Sequence, residues 1–157
     1  MDPIKVDEEL NLVLVHDELA LKYVILVNQD RSYLSEWLPW VTSTRTVEDY
    51  QEFIKKSLSE HADGKSLVCG IEYLGELVGT AGFIRIHPKL QKAEIGYWVA
   101  SSRQGYGIIT RVCKKLFELA FNDYGLAKVQ ISVAEHNTKS RAVCERLGMN
   151  LEGIITN

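Results

Sequence analysis

A glycine-bearing segment between a predicted strand and a predicted helix constrains the fold of this chain most. It consists of Gln104, Gly105, Tyr106, Gly107, Ile108, Ile109 and Thr110. The strand-like run 93–100 precedes it, and an amphipathic helix is predicted over 110–122. A glycine turn at this place leaves backbone N–H groups pointing outward, and the positive end of the helix dipole adds to them. The segment therefore predicts a cradle for a phosphate or diphosphate.

Two common phosphate-binding motifs do not match this segment. A P-loop requires a lysine followed by Ser or Thr after its last glycine, and no lysine follows Gly107. A dinucleotide fingerprint requires a third Gly or Ala and an acid on the next strand, and neither is present. Two glycines alone are also typical of a plain strand-to-helix connection, so the neighbouring segments must decide.

Length and charge limit the possible classes of protein. With 157 residues, 46% of them hydrophobic, one domain spanning 1–157 is expected. No apolar run approaches the roughly 20 residues of a membrane span, and the N-terminus lacks a signal-peptide pattern. The net charge of -3 argues against a nucleic-acid partner, although Arg103, Arg111, Lys114 and Lys115 surround the glycine segment. The sequence predicts a cytoplasmic protein with neither a membrane nor a nucleic-acid partner.

Cysteines and histidines show no pattern of metal ligands. Cys69, Cys113 and Cys144 lie in apolar contexts and lack metal-ligand spacing, as do the four scattered histidines. We therefore expect buried, reduced thiols and no metal.

The hydrophobic pattern predicts a mixed sheet with helices packed on it, an α/β class of fold. Thr46 and Asp49 resemble a capping box at a helix start, and Gly75 and Glu76 form a two-residue turn suited to a hairpin. The predicted elements are a strand at 10–15, helices at 17–27 (capped by Asp17), 29–37 and 46–64, strands at 67–74, 77–86 and 93–100, a helix at 110–122, a strand at 128–134 and a helix at 138–147.

Several ordered motifs resemble the GNAT acetyltransferase superfamily. Its diphosphate loop reads Gln/Arg-x-x-Gly-x-Gly/Ala, and 104–108 fits the first five positions; Ile109 departs from the sixth, which is often relaxed in the RimJ/RimL branch. Other segments are similar to that branch. They are Trp37-Leu38-Pro39-Trp40, Ala93-Glu94-Ile95-Gly96-Tyr97-Trp98, Asn137-Thr138-Lys139-Ser140, Gly148-Met149 and Glu152-Gly153. The resemblance covers essentially the whole chain.

The resemblance implies an acetyl-CoA-dependent N-acetyltransferase whose donor lies between two splayed parallel strands. The expected acceptor is a protein N-terminal α-amine, as in ribosomal proteins, with direct transfer in a ternary complex and a possible homo-oligomer. Small amines (polyamines, aminoglycosides or amino acids) and a non-catalytic acyl-CoA-binding module remain alternatives. Family members continue past the Glu-Gly pair into two further strands, so a fragment, or a protein with a shortened C-terminal hairpin, is expected.

The resemblance also implies roles for individual residues. The loop 104–110 would bind the diphosphate through main-chain N–H groups, and Trp98 and Val99 would offer backbone groups to the pantetheine arm. Asn137 and Ser140 would lie beside the pantetheine and the thioester sulfur, with Ser140 donating a proton to the leaving thiolate. Trp37 and Trp40 are candidate walls of the acceptor site.

Glu94 is the candidate general base. It shares a strand face with Gly96 and Trp98, opposite Ile95 and Val99. A carboxylate among apolar residues is partly desolvated, which raises its pKa toward a useful range. The alternative is a structural acid hydrogen-bonded at the sheet surface.

Overall fold

A mixed sheet of six strands forms the centre of the computed structural model within the residues it describes, 1–36, 38–42 and 46–131. The strands are β1 (Ile4–Lys5), β2 (Leu10–Leu14), β3 (Leu67–Tyr73), β4 (Glu76–His87), β5 (Lys92–Val99) and β6 (Lys128–Ile131). Their order in the sheet follows the chain, and neighbours are antiparallel except for the parallel pair β5 and β6. The predicted mixed sheet is confirmed, whereas β1 was not anticipated because two residues carry no readable periodicity.

Four α-helices lie in the described part of the chain: α1 (Leu19–Asn28), α2 (Arg31–Leu34), α3 (Val47–Ala62) and α4 (Ile108–Glu118). Short 3-10 turns occupy Pro39–Thr42, Pro88–Leu90 and Ser101–Arg103, and a π turn covers Leu119–Asp123. No helix of the described residues is long and apolar enough to cross a bilayer.

The start of α1 differs from the prediction. The cap residue is Glu18 in a helical conformation, and no side chain caps the first turn, so the prediction that Asp17 caps this helix is wrong. The predicted helix at 29–37 is also too long. Asp30, with φ of -132°, interrupts the helical backbone, and α2 is only four residues long.

The capping box of α3 is confirmed. The Thr46 hydroxyl accepts from the Asp49 N–H at 3.2 Å, and the Asp49 carboxylate accepts from the Thr46 N–H at 3.0 Å. Gly64, with φ of +73°, lies just beyond the end of the helix, in the left-handed conformation that favours glycine there.

The β3–β4 hairpin turns one residue earlier than predicted. Tyr73 pairs with Glu76, so the two central residues are Leu74 and Gly75, with φ of +51° and +84°. Two successive positive φ values are typical of a type I′ turn, whose twist matches that of the strands. The prediction of Gly75 and Glu76 was wrong because leucine rarely adopts a positive φ.

Two hydrophobic cores lie on opposite faces of the sheet. The first packs α4 against the β5 residues Ala93, Ile95 and Val99, all of which are buried. The second packs α1 and α3 over the other face, where Trp98 contacts them. This alternation along β5 confirms that Glu94 and Trp98 share a face opposite Ile95 and Val99.

Some predictions fall outside the described residues. They include the end of the last predicted strand, the helix at 138–147 and Cys144. Within the described residues, Cys69 and Cys113 are buried and neither forms a disulfide.

Candidate active site

The glycine segment forms a sharp corner between β5 and α4. Gly105 and Gly107 have φ of +88° and +69°, and a Cβ at either position would meet nothing within 4 Å. Backbone conformation, and not lack of space, is therefore why glycine is needed at both positions. Gly107 is the residue before α4, which begins at Ile108, two residues earlier than predicted.

The start of α4 is suited to an anion. Its first turn contains no acidic residue, and its N–H groups face the loop with the positive end of the helix dipole. Gln104 braces this loop: its side-chain nitrogen donates to the Val99 carbonyl at 3.1 Å. The Val99 carbonyl is thus already engaged by the loop.

Two of the basic residues around the loop form ion pairs with acidic residues, which the sequence did not indicate. Arg103 forms an ion pair with Glu76 at 2.9 Å, and Arg111 pairs with Glu9 at 2.9 Å. Both guanidinium groups also lie within 6 Å of the Tyr73 ring centroid. The loop's own aromatic residue, Tyr106, is half exposed and contacts that same ring at 5.7 Å.

Replacing Gly107 with alanine is expected to weaken binding of coenzyme A by about 10-fold, since a left-handed non-glycine residue costs roughly 1–2 kcal/mol. Gly64→Ala is the matched control, because its φ is +73° and its Cβ also meets open space, but it lies after α3. The free energy of unfolding, measured by denaturation, should fall by a similar amount in both variants. Equal coenzyme A affinity of the two variants by calorimetry would contradict a role for the loop in binding.

Glu94 lies on β5 and is mostly shielded from solvent. Its side chain is 20% exposed, and its carboxylate lies 3.8 Å from the guanidinium of Arg85, which is 70% exposed. That separation is longer than a hydrogen bond, so the pair is a loose one. The side chain of Ile84 covers Gly96, the next residue on the same face. Glu94 is thus a carboxylate beside an apolar wall.

An aromatic cluster continues the same face of β5. Trp98 contacts Tyr23 of α1 and Trp40 of the 3-10 turn, with both pairs of ring centroids 6.1 Å apart. Tyr50 of α3 stacks on Tyr23 at 5.8 Å and meets the edge of Trp40 at 6.5 Å. Trp40 is the most exposed of these side chains, at 37%. The cluster therefore extends from the protein surface to β5.

A polar contact connects the two sides of the site. The Asp30 carboxylate accepts from the Ser101 backbone N–H at 2.7 Å and from its hydroxyl at 2.5 Å. Asp30 lies between α1 and α2, and Ser101 begins the turn that leads into the glycine loop. The connection joins the helices beside the aromatic cluster to the loop of the predicted donor site.

The structure brings part of the predicted site together. Glu94, Trp98, Trp40 and the loop 104–110 all lie on or next to β5. Trp37, Asn137 and Ser140 lie outside the described residues, so their predicted roles stay predictions. No group of His, Cys, Asp or Glu suited to a metal ion occurs among residues 1–36, 38–42 and 46–131.

Comparison with known families identifies the family to which this fold belongs. The family described as acetyltransferase (GNAT) domain matches residues 10–150. The chain belongs to the GNAT acetyltransferase family. It is an N-acetyltransferase of the RimJ/RimL type, and the family resemblance read from the sequence is confirmed.

Two bacterial relatives match nearly the full length of this GNAT chain. YdaF of Bacillus subtilis, named as a candidate ribosomal N-acetyltransferase, is 35% identical over 95% of this chain and 82% of its own length. The ribosomal-protein-serine acetyltransferase of Escherichia coli is 30% identical over 98% of this chain and 86% of its own.

Solved structures of similar proteins share the fold. The microcin C7 self-immunity acetyltransferase MccE, in complex with acetyl-CoA and AMP, has a TM-score of 0.89 and 30% identity, covering 96% of this chain and 83% of its own. The ribosomal α-N-protein acetyltransferase RimL, in complex with coenzyme A, has a TM-score of 0.92 and 25% identity, covering 97% and 86%.

Acetyl-CoA is the co-substrate of this GNAT chain. The residues present fit its diphosphate, because the turn has two left-handed glycines with open space around them and opens a helix free of acids. Ile109 lies in the first turn of α4, so its departure from Gly/Ala leaves the helix start intact.

The sequence patterns do not single out two tyrosines of the aromatic cluster, Tyr23 and Tyr50. Tyr50 is a buried residue of α3, and helical spacing predicts only its burial. Tyr23 carried no signal beyond helical spacing. A tyrosine at a position predicted to be buried is the signal that could have identified them, because a buried tyrosine hydroxyl needs a hydrogen-bond partner.

Proposed function

We propose that this GNAT enzyme transfers the acetyl group of acetyl-CoA to the N-terminal α-amine of a protein, in a ternary complex. The observation that carries the proposal is the shared face of β5, where shielded Glu94 precedes the aromatic cluster around Trp98. The names of the two bacterial relatives, which refer to ribosomal acetylation, support this acceptor class.

The chemistry requires a neutral amine. A free α-amine titrates near 8, so a base that removes its proton is useful at neutral pH. Glu94 is assigned as that base, directly or through a water. The amine nitrogen then attacks the thioester carbonyl carbon and the carbon–sulfur bond breaks. The departing thiolate takes a proton from the Ser140 hydroxyl, which regains one from the nitrogen as the amide forms.

An acetyl-enzyme intermediate on either described cysteine is disfavoured. Burial raises the pKa of the Cys69 thiol to about 12, so its thiolate is scarce at neutral pH. Cys113 is fully buried on α4 in the core opposite the Glu94 face. These observations support direct transfer.

A small-molecule amine is the second candidate acceptor. It is favoured by the likeness to MccE, a self-immunity acetyltransferase whose structure contains AMP beside acetyl-CoA. An acyl-CoA-binding module is the third candidate. We also place the protein in the cytoplasm, in keeping with buried, unbridged Cys69 and Cys113, and homo-oligomer formation stays a prediction.

An acceptor panel tests the proposal. Release of free coenzyme A thiol is measured with peptides of varied N-terminal residue, with the same peptides N-terminally blocked, and with polyamines, aminoglycosides and amino acids. We expect turnover of free-amine peptides, loss of turnover on blocking, and at least about 10-fold lower kcat/KM for the small amines. Preference for a small amine contradicts the protein acceptor. Tight coenzyme A binding without turnover on any acceptor supports the binding module.

A further inference from the structure

The hydroxyl of Tyr50 is buried without a hydrogen-bond partner in the described part of the chain. The residue is only 2% exposed, and its ring lies between Tyr23 and Trp40 in the aromatic cluster. A buried phenol normally finds a partner, because losing its hydrogen bonds to water without replacement is unfavourable. An orphaned hydroxyl in the native fold therefore calls for an explanation.

The neighbouring Tyr23, in the same cluster, has a hydroxyl with hydrogen-bond partners. The Tyr23 hydroxyl accepts from the Thr80 hydroxyl at 2.8 Å and donates to the Gly79 carbonyl at 3.4 Å. Tyr23 and Tyr50 stack with their rings nearly parallel, 10° apart. Burial and ring packing are thus similar for the two residues, and only the hydrogen bonding differs.

Ring contacts connect Tyr50 to the protein surface and to β5. Trp40, which meets the ring edge of Tyr50, is exposed at the surface and also contacts Trp98 of β5. Trp98 shares its strand face with Glu94. Tyr50 therefore packs on the face of the sheet that carries the proposed base, opposite α4.

We propose that Tyr50 is a specificity-determining residue whose hydroxyl donates a hydrogen bond to the first peptide carbonyl of the acceptor, next to the reacting α-amine. The proposal rests on the proposed function. This hydrogen bond would distinguish a peptide N-terminus from a simple alkylamine, which has a reactive nitrogen but no adjacent carbonyl.

The Tyr50 hydroxyl is a hydrogen-bond donor at neutral pH. Burial raises the pKa of Tyr50 to about 12, while the positive charge of Arg31 acts in the opposite direction. The phenol is thus protonated at neutral pH and able to donate. The charges of Arg31 and Asp49 act on Tyr50 in opposite directions, so neither sign dominates around its hydroxyl.

The test is Tyr50→Phe, assayed with two acceptors. One is a peptide that the wild-type protein acetylates, and the other is an alkylamine of similar size without a carbonyl. Loss of one neutral hydrogen bond should raise the KM for the peptide about 3- to 10-fold, with kcat and the KM for acetyl-CoA unchanged. The alkylamine should be used equally by both proteins. An unchanged KM for the peptide, or an equal loss for both acceptors, overturns the proposal.

Thermal stability gives a second readout that does not depend on activity. Tyr50→Phe should melt at the same temperature as the wild type or higher, because it removes a hydroxyl that has no partner. The matched control is Tyr23→Phe, which breaks two hydrogen bonds and should lower Tm by about 3 °C. A fall in Tm for Tyr50→Phe as large as that of the control shows a partnered hydroxyl and overturns the proposal.

Failure of the proposed function is distinguishable from failure of this inference. If the wild-type protein acetylates no peptide in the panel, the protein-acceptor function is wrong and the role of Tyr50 falls with it. If the wild type acetylates peptides and Tyr50→Phe does so with the same KM, only the role of Tyr50 is wrong.

Discussion

Glu94→Gln is expected to lower turnover about 100-fold and to leave acetyl-CoA affinity unchanged, since general base catalysis contributes 10²–10⁴-fold. Glutamine keeps the shape of the side chain on β5 but cannot accept the proton of the ammonium. The residue lies on the face opposite α4, so the glycine loop should be undisturbed. The measurements are initial rates at saturating acetyl-CoA between pH 6 and pH 9, and coenzyme A affinity by calorimetry.

Glu72→Gln is the matched control for this substitution. Glu72 is also a partly buried strand glutamate, but it lies on β3, two strands away from β5. It should retain wild-type rates. Full activity of Glu94→Gln at every pH tested would show that Glu94 is a structural acid, the alternative that the sequence left open.

Gly79→Ala is expected to destabilise the fold by about 3 kcal/mol and to abolish most of the activity. A Cβ at Gly79 would lie 2.1 Å from the Trp98 carbonyl oxygen and 3.0 Å from the Val99 Cα. Both are backbone atoms, so β4 and β5 must move apart to make room. The displaced segment is the one predicted to bind the pantetheine arm. Urea denaturation and rates measured at a temperature where the variant is folded test the two effects separately.

Gly70→Ala on β3 serves as the control, because its Cβ would meet side-chain ends. The contacts are Leu77 Cδ1 at 2.9 Å, Leu19 Cδ1 at 3.2 Å and the Tyr23 hydroxyl at 3.3 Å, and the two closest are ends of flexible side chains. We expect a loss of about 1 kcal/mol with activity preserved. If Gly79→Ala is no less stable than this control, the close approach of β4 to β5 is not a constraint.

The sequence predicted those elements whose formation depends on residues that are close together in the chain. The capping box at Thr46, the strand alternation on β5 and the glycine corner before α4 were all readable because each depends on residues close in sequence. Glu94 could be assigned to the correct strand face for the same reason. The family itself was recognisable because its motifs occur in order along the chain.

Features that depend on distant contacts could not be predicted. Asp30 separates α1 from α2, and its carboxylate accepts a hydrogen bond from Ser101, which is far away in the sequence. The unsatisfied hydroxyl of Tyr50 is apparent only when the packing of Tyr23 and Trp40 around it is known. Helical periodicity predicts burial of such a side chain but gives no information on whether its polar atom is satisfied.

The agreement between sheet order and chain order bears on how the molecule assembles. Each strand from β1 to β6 adds to an edge formed by the strand that precedes it in the chain. The sheet can therefore grow in the direction of synthesis, and no earlier pair must open to admit a later strand. Two connections between neighbouring strands are long: the one from Leu14 to Leu67, through α1 to α3, and the shorter one from Val99 to Lys128, through α4. Because the cost of closing a loop grows with its length, the antiparallel strands β3, β4 and β5 are expected to pair first, with β2 and β6 added afterwards at the two edges.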